Sequence, residues 1–170
     1  MANSKRKGNR FELLCSKWFT RWTKFTWNRV PMSGAWHSNP DAASDITCVD
    51  ERHAHRCKIN VECKFYKDIN FEHLLLGTKT CKILKFWEQA CEDSQRVNKV
   101  PILCMRYNSM PREEFFIVVD QRLRELFLDC SRQMDIYIKG YALSIFMATD
   151  VIDTINYSLV HKKAKALVKK

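Results

Sequence analysis

The sequence predicts an α/β fold in which a central mixed β-sheet is flanked by helices, in the order α-β-β-β-α-β, with extra strand and helix elements at the C-terminal end. Apolar residues recur at helical spacing in two long segments, at about 8–24 and 80–97. Short runs rich in β-branched and aromatic residues, typical of strands, occupy 45–49, 58–65 and 100–107. We predict a single domain across the 170 residues.

The amino-acid composition and net charge of the chain indicate which kinds of molecule it binds. A net charge of +10 points toward a polyanion, with nucleic acid first and an acidic membrane surface second. No apolar run is long enough to span a bilayer, and the basic N-terminus leads into a patterned helix instead of a signal-peptide core. We therefore expect a soluble, cytoplasmic protein with no membrane partner. The eight cysteines, without a secretory signal, predict free thiols, most of them at apolar positions.

The first helix is predicted from about Gly8 to Lys24, after a basic stretch at 3–7 that we expect to be mobile. Its apolar stripe contains Phe11, Leu14, Cys15, Trp18, Phe19 and Trp22. Arg10 belongs to a basic flank of this helix, whereas Glu12 lies at the border of the stripe. The Glu12 carboxylate is either an ordinary exposed charge or a group that reaches toward a metal site at the sheet edge.

A strand over 25–30 ends in a long loop that begins at Pro31-Met32-Ser33-Gly34 and runs through Asp41. Long loops between strands are often functional. Ser33 either contacts a phosphate or shapes the turn, and its sequence context favours the turn. Asp41 lies within the loop, so Asp45, at the head of the next strand, is the better candidate for a metal ligand.

The two strands at 45–49 and 58–65 carry the strongest chemical signal in the chain. Alternation in the second strand places Glu62 and Lys64 side by side on one face. If the polar segment 50–56 folds back, Asp45 lies beside Glu62 across an antiparallel pair. Two carboxylates suit Mg²⁺, whose bound water is more easily deprotonated, and a lysine can neutralise charge on a phosphate. The alternative interpretation is a solvated strand face with a salt bridge.

The following segments predict further regular structure. A short helical turn at 71–76 precedes the long helix at 80–97 and the buried strand at 100–107. One face of the long helix, either solvated or facing phosphate, carries Lys82, Lys85, Gln89 and Arg96.

The last third of the chain contains two similar strand-turn-helix units. Residues 115–119 form a strand, and Asp120 caps a helix that extends through Cys130. Residues 142–147 form the second strand, followed by Thr149 or Asp150 as the cap of a helix that begins at Val151. We interpret this part as scaffold or dimer surface.

A zinc site is an alternative for the histidines and cysteines near the central strands. The candidate ligands are His53, His55 and Cys57, with Cys48 and Cys63 nearby. Their spacing matches no standard zinc knuckle, and three of them lie on or beside predicted strands. A thiol nucleophile paired with one of the five histidines has still less support, because any cysteine and histidine in a small protein can be paired on paper.

Five motifs occur in an order that resembles the PD-(D/E)XK nuclease superfamily, and most closely the archaeal-type and phage Holliday junction resolvases. They are Lys7-Gly8-Asn9-Arg10-Phe11-Glu12, Arg29-Val30-Pro31-Met32-Ser33-Gly34, Ser44-Asp45-Ile46, Val61-Glu62-Cys63-Lys64, and Phe86-Trp87-Glu88-Gln89-Ala90 leading to Pro101-Ile102-Leu103. The resemblance covers about residues 5–107. It implies a restriction-endonuclease-like core, which we place at about 8–119, with 120–170 as an extension. Ser44 stands where the superfamily's motif has its proline.

The resemblance also implies roles for individual residues. Asp45 and Glu62 would bind the metal, with the backbone carbonyl of Cys63 as a further ligand. Lys64 would orient the attacking water, and Glu12 would be an auxiliary acid. The predicted contacts to DNA are Lys5, Arg6, Lys7, Arg10, Arg29 and Ser33, the last in the loop near the scissile phosphate.

The implied activity is that of a Mg²⁺-dependent endonuclease, with Mn²⁺ as a substitute and no small-molecule cofactor. A homodimer would place two active sites on opposing strands of a four-way DNA junction. Two alternatives stay open: a PD-(D/E)XK nuclease that cuts ordinary duplex DNA, and a basic nucleic-acid-binding protein without catalysis. The Asp45, Glu62 and Lys64 set argues against the last, because a protein that only binds phosphate has no use for two acids beneath it.

Overall fold

A seven-stranded mixed β-sheet forms the centre of the protein in a computed structural model that describes residues 2–30, 43–76, 81–138 and 140–168. The strands are β1 (Trp27–Arg29), β2 (Ile46–Cys48), β3 (Ile59–Tyr66), β4 (Val100–Tyr107), β5 (Phe116–Asp120), β6 (Gln133–Ile138) and β7 (Tyr141–Met147). The helices are α1 (Ala2–Thr23), α2 (Glu72–Leu76), α3 (Lys82–Arg96), α4 (Ala148–Thr154) and α5 (Tyr157–Val168). Short 3₁₀ helices occupy Ala54–Arg56 and Gln121–Phe127. The predicted α/β class, with a mixed sheet flanked by helices, is confirmed.

The strands lie in the order β1-β2-β3-β4-β5-β7-β6. Strands β3 and β4 run parallel, with Glu62 opposite Leu103, and every other neighbouring pair in the described part of the chain is antiparallel. A parallel pair needs a long crossover, and here α2 and α3 supply it. As a result β3 lies inside the sheet, between β2 and β4.

Helix α1 covers one face of the sheet with the aromatic stripe predicted for it. Phe11, Trp18 and Phe19 are buried in a core that also contains Val61 and Cys63 of β3. The indole N–H of Trp18 donates a hydrogen bond to the carbonyl oxygen of Ala148 over 3.2 Å. This bond ties the first helix to the C-terminal part of the chain.

Helix α3 covers the opposite face, through an apolar stripe that includes Ile83, Leu84, Trp87 and Ala90. Because successive strand residues point to opposite faces, β3 sends its odd-numbered apolar side chains toward α1. Its even-numbered residues Glu62 and Lys64 face the α3 side. The two faces of β3 therefore differ: a dry face of apolar residues packs under α1, and the other face carries Glu62 and Lys64.

Two predicted helix boundaries are wrong. Helix α1 begins at Ala2, so residues 3–7 are helical and not a mobile lead-in. Lysine and arginine are good helix formers, and Gly8 is tolerated within the helix. Helix α4 begins at Ala148 with Met147 as its N-cap, so neither Thr149 nor Asp150 caps it. Asp150 instead accepts hydrogen bonds from the backbone and the guanidinium of Arg132.

The Asp120 cap is confirmed, because its carboxylate accepts a hydrogen bond from the backbone N–H of Arg122 over 2.8 Å. The capped segment is a 3₁₀ helix that ends at Phe127, three residues before the predicted end. No helix among the described residues has the length and apolar character needed to cross a membrane.

All eight cysteines are free thiols, and seven of them are buried, which confirms the prediction from their pattern. The thiols of Cys15, Cys63 and Cys104 are hydrogen-bonded to one another beneath the central strands. Burial raises the pKa of Cys15 and Cys63. Cys15 and Cys63 therefore fill the core as protonated thiols.

The segment between β2 and β3 is anchored by His53, which is only 7% exposed. Its ring stacks on Phe25 with centroids 4.2 Å apart, and its Nε2 lies 2.7 Å from the hydroxyl of Tyr157. Burial, together with the charges of His161 and Arg56, lowers the pKa of His53 to about 4. No group of three or more His, Cys, Asp or Glu side chains in the described ranges is arranged to hold a metal ion, so the zinc alternative gains no support.

We expect the buried His53 to make the protein less stable in acid. The unfolded state takes up a proton below a pKa of about 6.5, whereas the folded state resists it down to about 4. The free energy of unfolding therefore falls as the pH falls through this window, and the contribution is fully present only above it. Thermal melts between about pH 7.5 and 5 should show a smaller loss of Tm for His53→Phe than for the wild type.

The exposed His55 provides the matched control, because it lies two residues away in the same turn. His55→Phe should keep the pH dependence of the wild type. An unchanged pH dependence in His53→Phe would contradict the assignment to His53.

Candidate active site

Asp45, Glu62 and Lys64 come together on the α3 side of the sheet. The register that pairs Ile46 with Val61 places Asp45 opposite Glu62 across the antiparallel β2–β3 pair. Lys64 follows Glu62 on the same face of β3, and its Nζ lies 2.5 Å from Glu62 Oε1. The structure thus brings together the three groups that the alternation predicted, whereas their catalytic roles stay predictions.

Glu62 is the most buried of the three, with only 4% of the residue exposed. Burial and then the nearby Asp45 charge raise the pKa of Glu62 to about 8, and Lys64 limits the rise. A carboxylate in this position is stabilised by any further positive charge placed between it and Asp45. The site therefore has the electrostatic character of a cation site.

Backbone hydrogen bonds fix Asp45 against β3. Its N–H donates to the carbonyl oxygen of Val61 over 3.0 Å, and its Oδ2 accepts from the N–H of Cys63 over 2.8 Å. An ionised carboxylate has several lone pairs, so it can accept this bond together with others. Asp45 is thus held in place by the same strand that carries Glu62 and Lys64.

Lys64 is largely enclosed, with 20% of its side chain exposed. Burial acts to lower the pKa of Lys64, but the charges of Glu62 and Asp45 outweigh it and leave the pKa above its usual value. Lys64 is therefore a fixed ammonium with limited access to solvent. Such a group stabilises developing negative charge better than a mobile surface lysine.

Gln89 of α3 completes the surroundings of Glu62, and the sequence interpretation missed this role. Its side-chain amide donates to Glu62 Oε1 over 3.0 Å. The sequence pattern groups Gln89 with Lys82, Lys85 and Arg96 on a face that is either solvated or directed at phosphate. Gln89 follows the buried Phe86 by three residues, which puts it at the border of the apolar stripe, and this position was the available signal.

Glu12 approaches the site from α1, at the edge formed by β1. Its Oε2 accepts a hydrogen bond from Nε of Arg29 over 2.6 Å. Burial raises the pKa of Glu12, the bond from Arg29 opposes the rise, and the Asp45 charge adds to it. Glu12 is therefore within electrostatic reach of Asp45, and its auxiliary role stays a prediction.

The predicted DNA contacts lie mostly on the first turns of α1. Lys5, Arg6, Lys7 and Arg10 are exposed. A groove of about 540 Å³ is lined by Lys5, Arg6, Asn9, Arg10, Leu13 and Arg29. Arg29 also donates to Asn9, so its guanidinium is partly used within the protein.

Lys7 and Ser33 complete the set of predicted DNA contacts. Lys7 reaches across to the loop after β4, where its Nζ donates to Asn108 Oδ1 over 3.3 Å. Ser33, which was assigned both to the catalytic set and to DNA contact, lies outside the described residues.

Comparison with known proteins gives one family. A family model described as "Phage putative PDDEXK endonuclease" matches residues 3–159. The chain belongs to this family of phage endonucleases. The predicted PD-(D/E)XK relationship is confirmed, and the family supports nuclease activity of the PD-(D/E)XK type. A curated relative, Protein D14 of Escherichia phage T5, is 28% identical over 119 residues, which span 70% of this chain and 72% of the relative. No solved structure matches the chain.

PD-(D/E)XK nucleases generally use divalent metals, and the residues of this family member fit one. Asp45 and Glu62 offer facing carboxylates, which are hard oxygen ligands of the kind that Mg²⁺ and Mn²⁺ accept. Within the described residues no third His, Cys, Asp or Glu completes a cluster. A cation here would depend on two carboxylates together with backbone oxygen or water. The Cys63 carbonyl as that backbone ligand stays a prediction.

Proposed function

We propose that this protein is a metal-dependent, structure-specific DNA endonuclease that resolves four-way junctions by paired hydrolysis of phosphodiester bonds. The observation that carries the proposal is the convergence of Asp45, Glu62 and Lys64 on one face of β3, with Lys64 Nζ 2.5 Å from Glu62. Membership of the phage PDDEXK endonuclease family supports the nuclease part. The preference for junctions is part of the proposal and goes beyond the activity of the family.

Each group has a distinct task in this proposal. Asp45 and Glu62 hold the divalent cation, which when bound supplies a more acidic water and neutralises phosphate charge. Lys64 orients the attacking water and stabilises the negative charge that grows on the phosphate oxygens. Gln89 fixes the Glu62 carboxylate through its amide, so that the acid keeps its orientation before DNA arrives.

DNA would approach along the exposed basic side chains of α1. Lys5, Arg6 and Arg10 are exposed cations on successive turns of the helix that also carries Glu12. Contacts of this kind bind phosphates and orient the DNA without reading bases. Recognition of DNA shape follows more naturally from such a surface than recognition of a sequence.

A homodimer is part of the proposal. Resolution of a junction needs two symmetric cuts, and one chain carries one Asp45–Glu62–Lys64 set. Two chains related by a two-fold axis would present two sites to opposing strands. The second candidate function is cleavage of ordinary duplex DNA, which the same chemistry supports, since duplex DNA offers the same phosphates.

The test is Mg²⁺-dependent cleavage of a labelled four-way junction beside matched linear duplex, flap and single-stranded DNA. We expect paired symmetric nicks in the junction and little cutting of the linear duplex. Equal cutting of duplex would replace the junction proposal with the second candidate. Tight binding without metal-dependent cutting of any of these DNAs would contradict nuclease activity altogether.

A further inference from the structure

An exposed aromatic residue follows the catalytic set on the same strand face. Tyr66 ends β3, two residues after Lys64, so the alternation that aligns Glu62 with Lys64 also aligns Tyr66 with them. The exposed fraction rises along this face, from 4% at Glu62 to 39% at Tyr66. Tyr66 is therefore the point at which the active face of β3 opens to solvent.

The ring of Tyr66 is supported from α3. Phe86 packs against it with ring centroids 4.8 Å apart, and the Nζ of Lys82 lies 5.2 Å from its centroid. Lys82 and Phe86 are one helical turn apart on α3, so both contacts come from the helix side. The exposed part of the tyrosine is consequently the part directed away from α3.

Phe86 also connects this ring to the catalytic lysine. The Nζ of Lys64 lies 5.8 Å from the Phe86 ring centroid. Two packed aromatic rings, Phe86 and Tyr66, therefore lie between two cations, Lys64 and Lys82. The side chain of Lys82 is 56% exposed, and the neighbouring Lys67 is exposed as well.

We propose that Tyr66 is a stacking platform for a DNA base that has left the helical stack next to the scissile phosphate. Aromatic rings between lysines are the features with which proteins bind unpaired nucleotides, since every base has a π-face and every nucleotide a phosphate. Residues two apart on a strand are separated by about 6.6 Å, a distance that a nucleotide bridges from phosphate to base. A phosphate held at Lys64 thus leaves its base within reach of Tyr66.

This inference rests on the proposed function, because it places the scissile phosphate at Lys64, and it deepens that function by specifying the substrate. A base in an intact duplex is stacked on both sides and cannot reach the ring. A base at a branch point loses a stacking neighbour when the junction opens. Tyr66 would therefore favour branched DNA and single-strand/double-strand boundaries over continuous duplex.

The experiment measures the fluorescence of 2-aminopurine at the branch point of a four-way junction, bound by the full-length protein in chelator so that no metal-dependent cleavage occurs. Stacking on tyrosine quenches this base. We expect lower fluorescence in complexes with wild type or Tyr66→Phe than with Tyr66→Ala. Affinity for the junction should fall about tenfold in Tyr66→Ala, the effect of losing one base–aromatic stack, with less than about twofold change for linear duplex.

Tyr137→Ala is the matched control, because Tyr137 is a more exposed tyrosine, at 70%, on the distant edge strand β6. It should behave as wild type in both measurements. Equal fluorescence in the Tyr66→Ala and wild-type complexes, or an equal loss of affinity for junction and duplex, would overturn the inference. Either result could coexist with intact cleavage, whereas loss of cleavage on every DNA would overturn the proposed function instead.

Discussion

Cleavage of a four-way junction is expected to fall by about 10³-fold or more when Asp45 is replaced by asparagine, while binding of the junction is kept or strengthened. The substitution removes one of the two facing acids, so the cation loses a charged ligand. It also removes negative charge from the surface that receives a phosphate. Single-turnover cleavage and a binding titration on the same labelled junction separate the two effects.

The fold should tolerate Asp45→Asn. The amide oxygen of asparagine can accept the hydrogen bond that Asp45 Oδ2 takes from the N–H of Cys63. Asp153→Asn, at an exposed position on α4, is the control and should cleave as the wild type does. Equal cleavage by Asp45→Asn and wild type would remove Asp45 from the active site.

Lys64→Met is expected to reduce cleavage by about 10²- to 10³-fold, the range found when one preorganised charge-stabilising group is lost. Methionine keeps much of the volume of the lysine stem but not its ammonium. Glu62 would lose its ion-pair partner, and its pKa should rise further above its present value of about 8. Measured rates for wild type and Lys64→Met at saturating protein, with a thermal melt of each, test this expectation.

Lys58→Met offers a control within the same segment. Lys58 directly precedes β3, about 20 Å along the chain from Lys64, at the opposite end of the strand. Its replacement should leave the cleavage rate within about twofold of wild type. If Lys64→Met cleaved as well as Lys58→Met does, Lys64 would have no part in the reaction.

The central strands could be predicted because their pattern is local. In β3 the apolar residues Ile59, Val61 and Cys63 alternate with polar ones, and that alternation alone places Glu62 and Lys64 on one face. The pairing of Asp45 with Glu62 needed one further assumption, that segment 50–56 folds back. The observed register agrees with it.

The side-chain contacts that fix segment 50–56 and Glu62 could not be predicted, because their partners lie in distant parts of the chain. His53 is fixed by Tyr157, which lies 104 residues away in sequence. The exposed Gln89 reaches Glu62 from the border of the buried stripe of α3, which depends on how α3 packs on β3. The contact of His53 with Tyr157 has no periodic signal in the sequence, and the helical position of Gln89 does not by itself identify Glu62 as its partner.

Local sequence patterns gave a wrong start for α1 and gave no prediction of the edge strand β6. The basic run before Gly8 has the composition of a tail, yet helix formation continues through it to Ala2. Strand β6 was not predicted, because only Ile136 among its six residues is buried and an edge strand shows weak alternation.

The burial of Glu62 has a consequence for the evolution of the family. A carboxylate that is 4% exposed and faces a second acid makes the folded state less stable than an apolar residue of similar size would. If cleavage requires Glu62, as we propose, selection for cleavage retains it, as is common where activity and stability conflict. In a lineage that no longer needs DNA cleavage, Glu62 should be replaced early, whereas Val61 and Cys63 on the dry face of the same strand should persist for as long as the fold does.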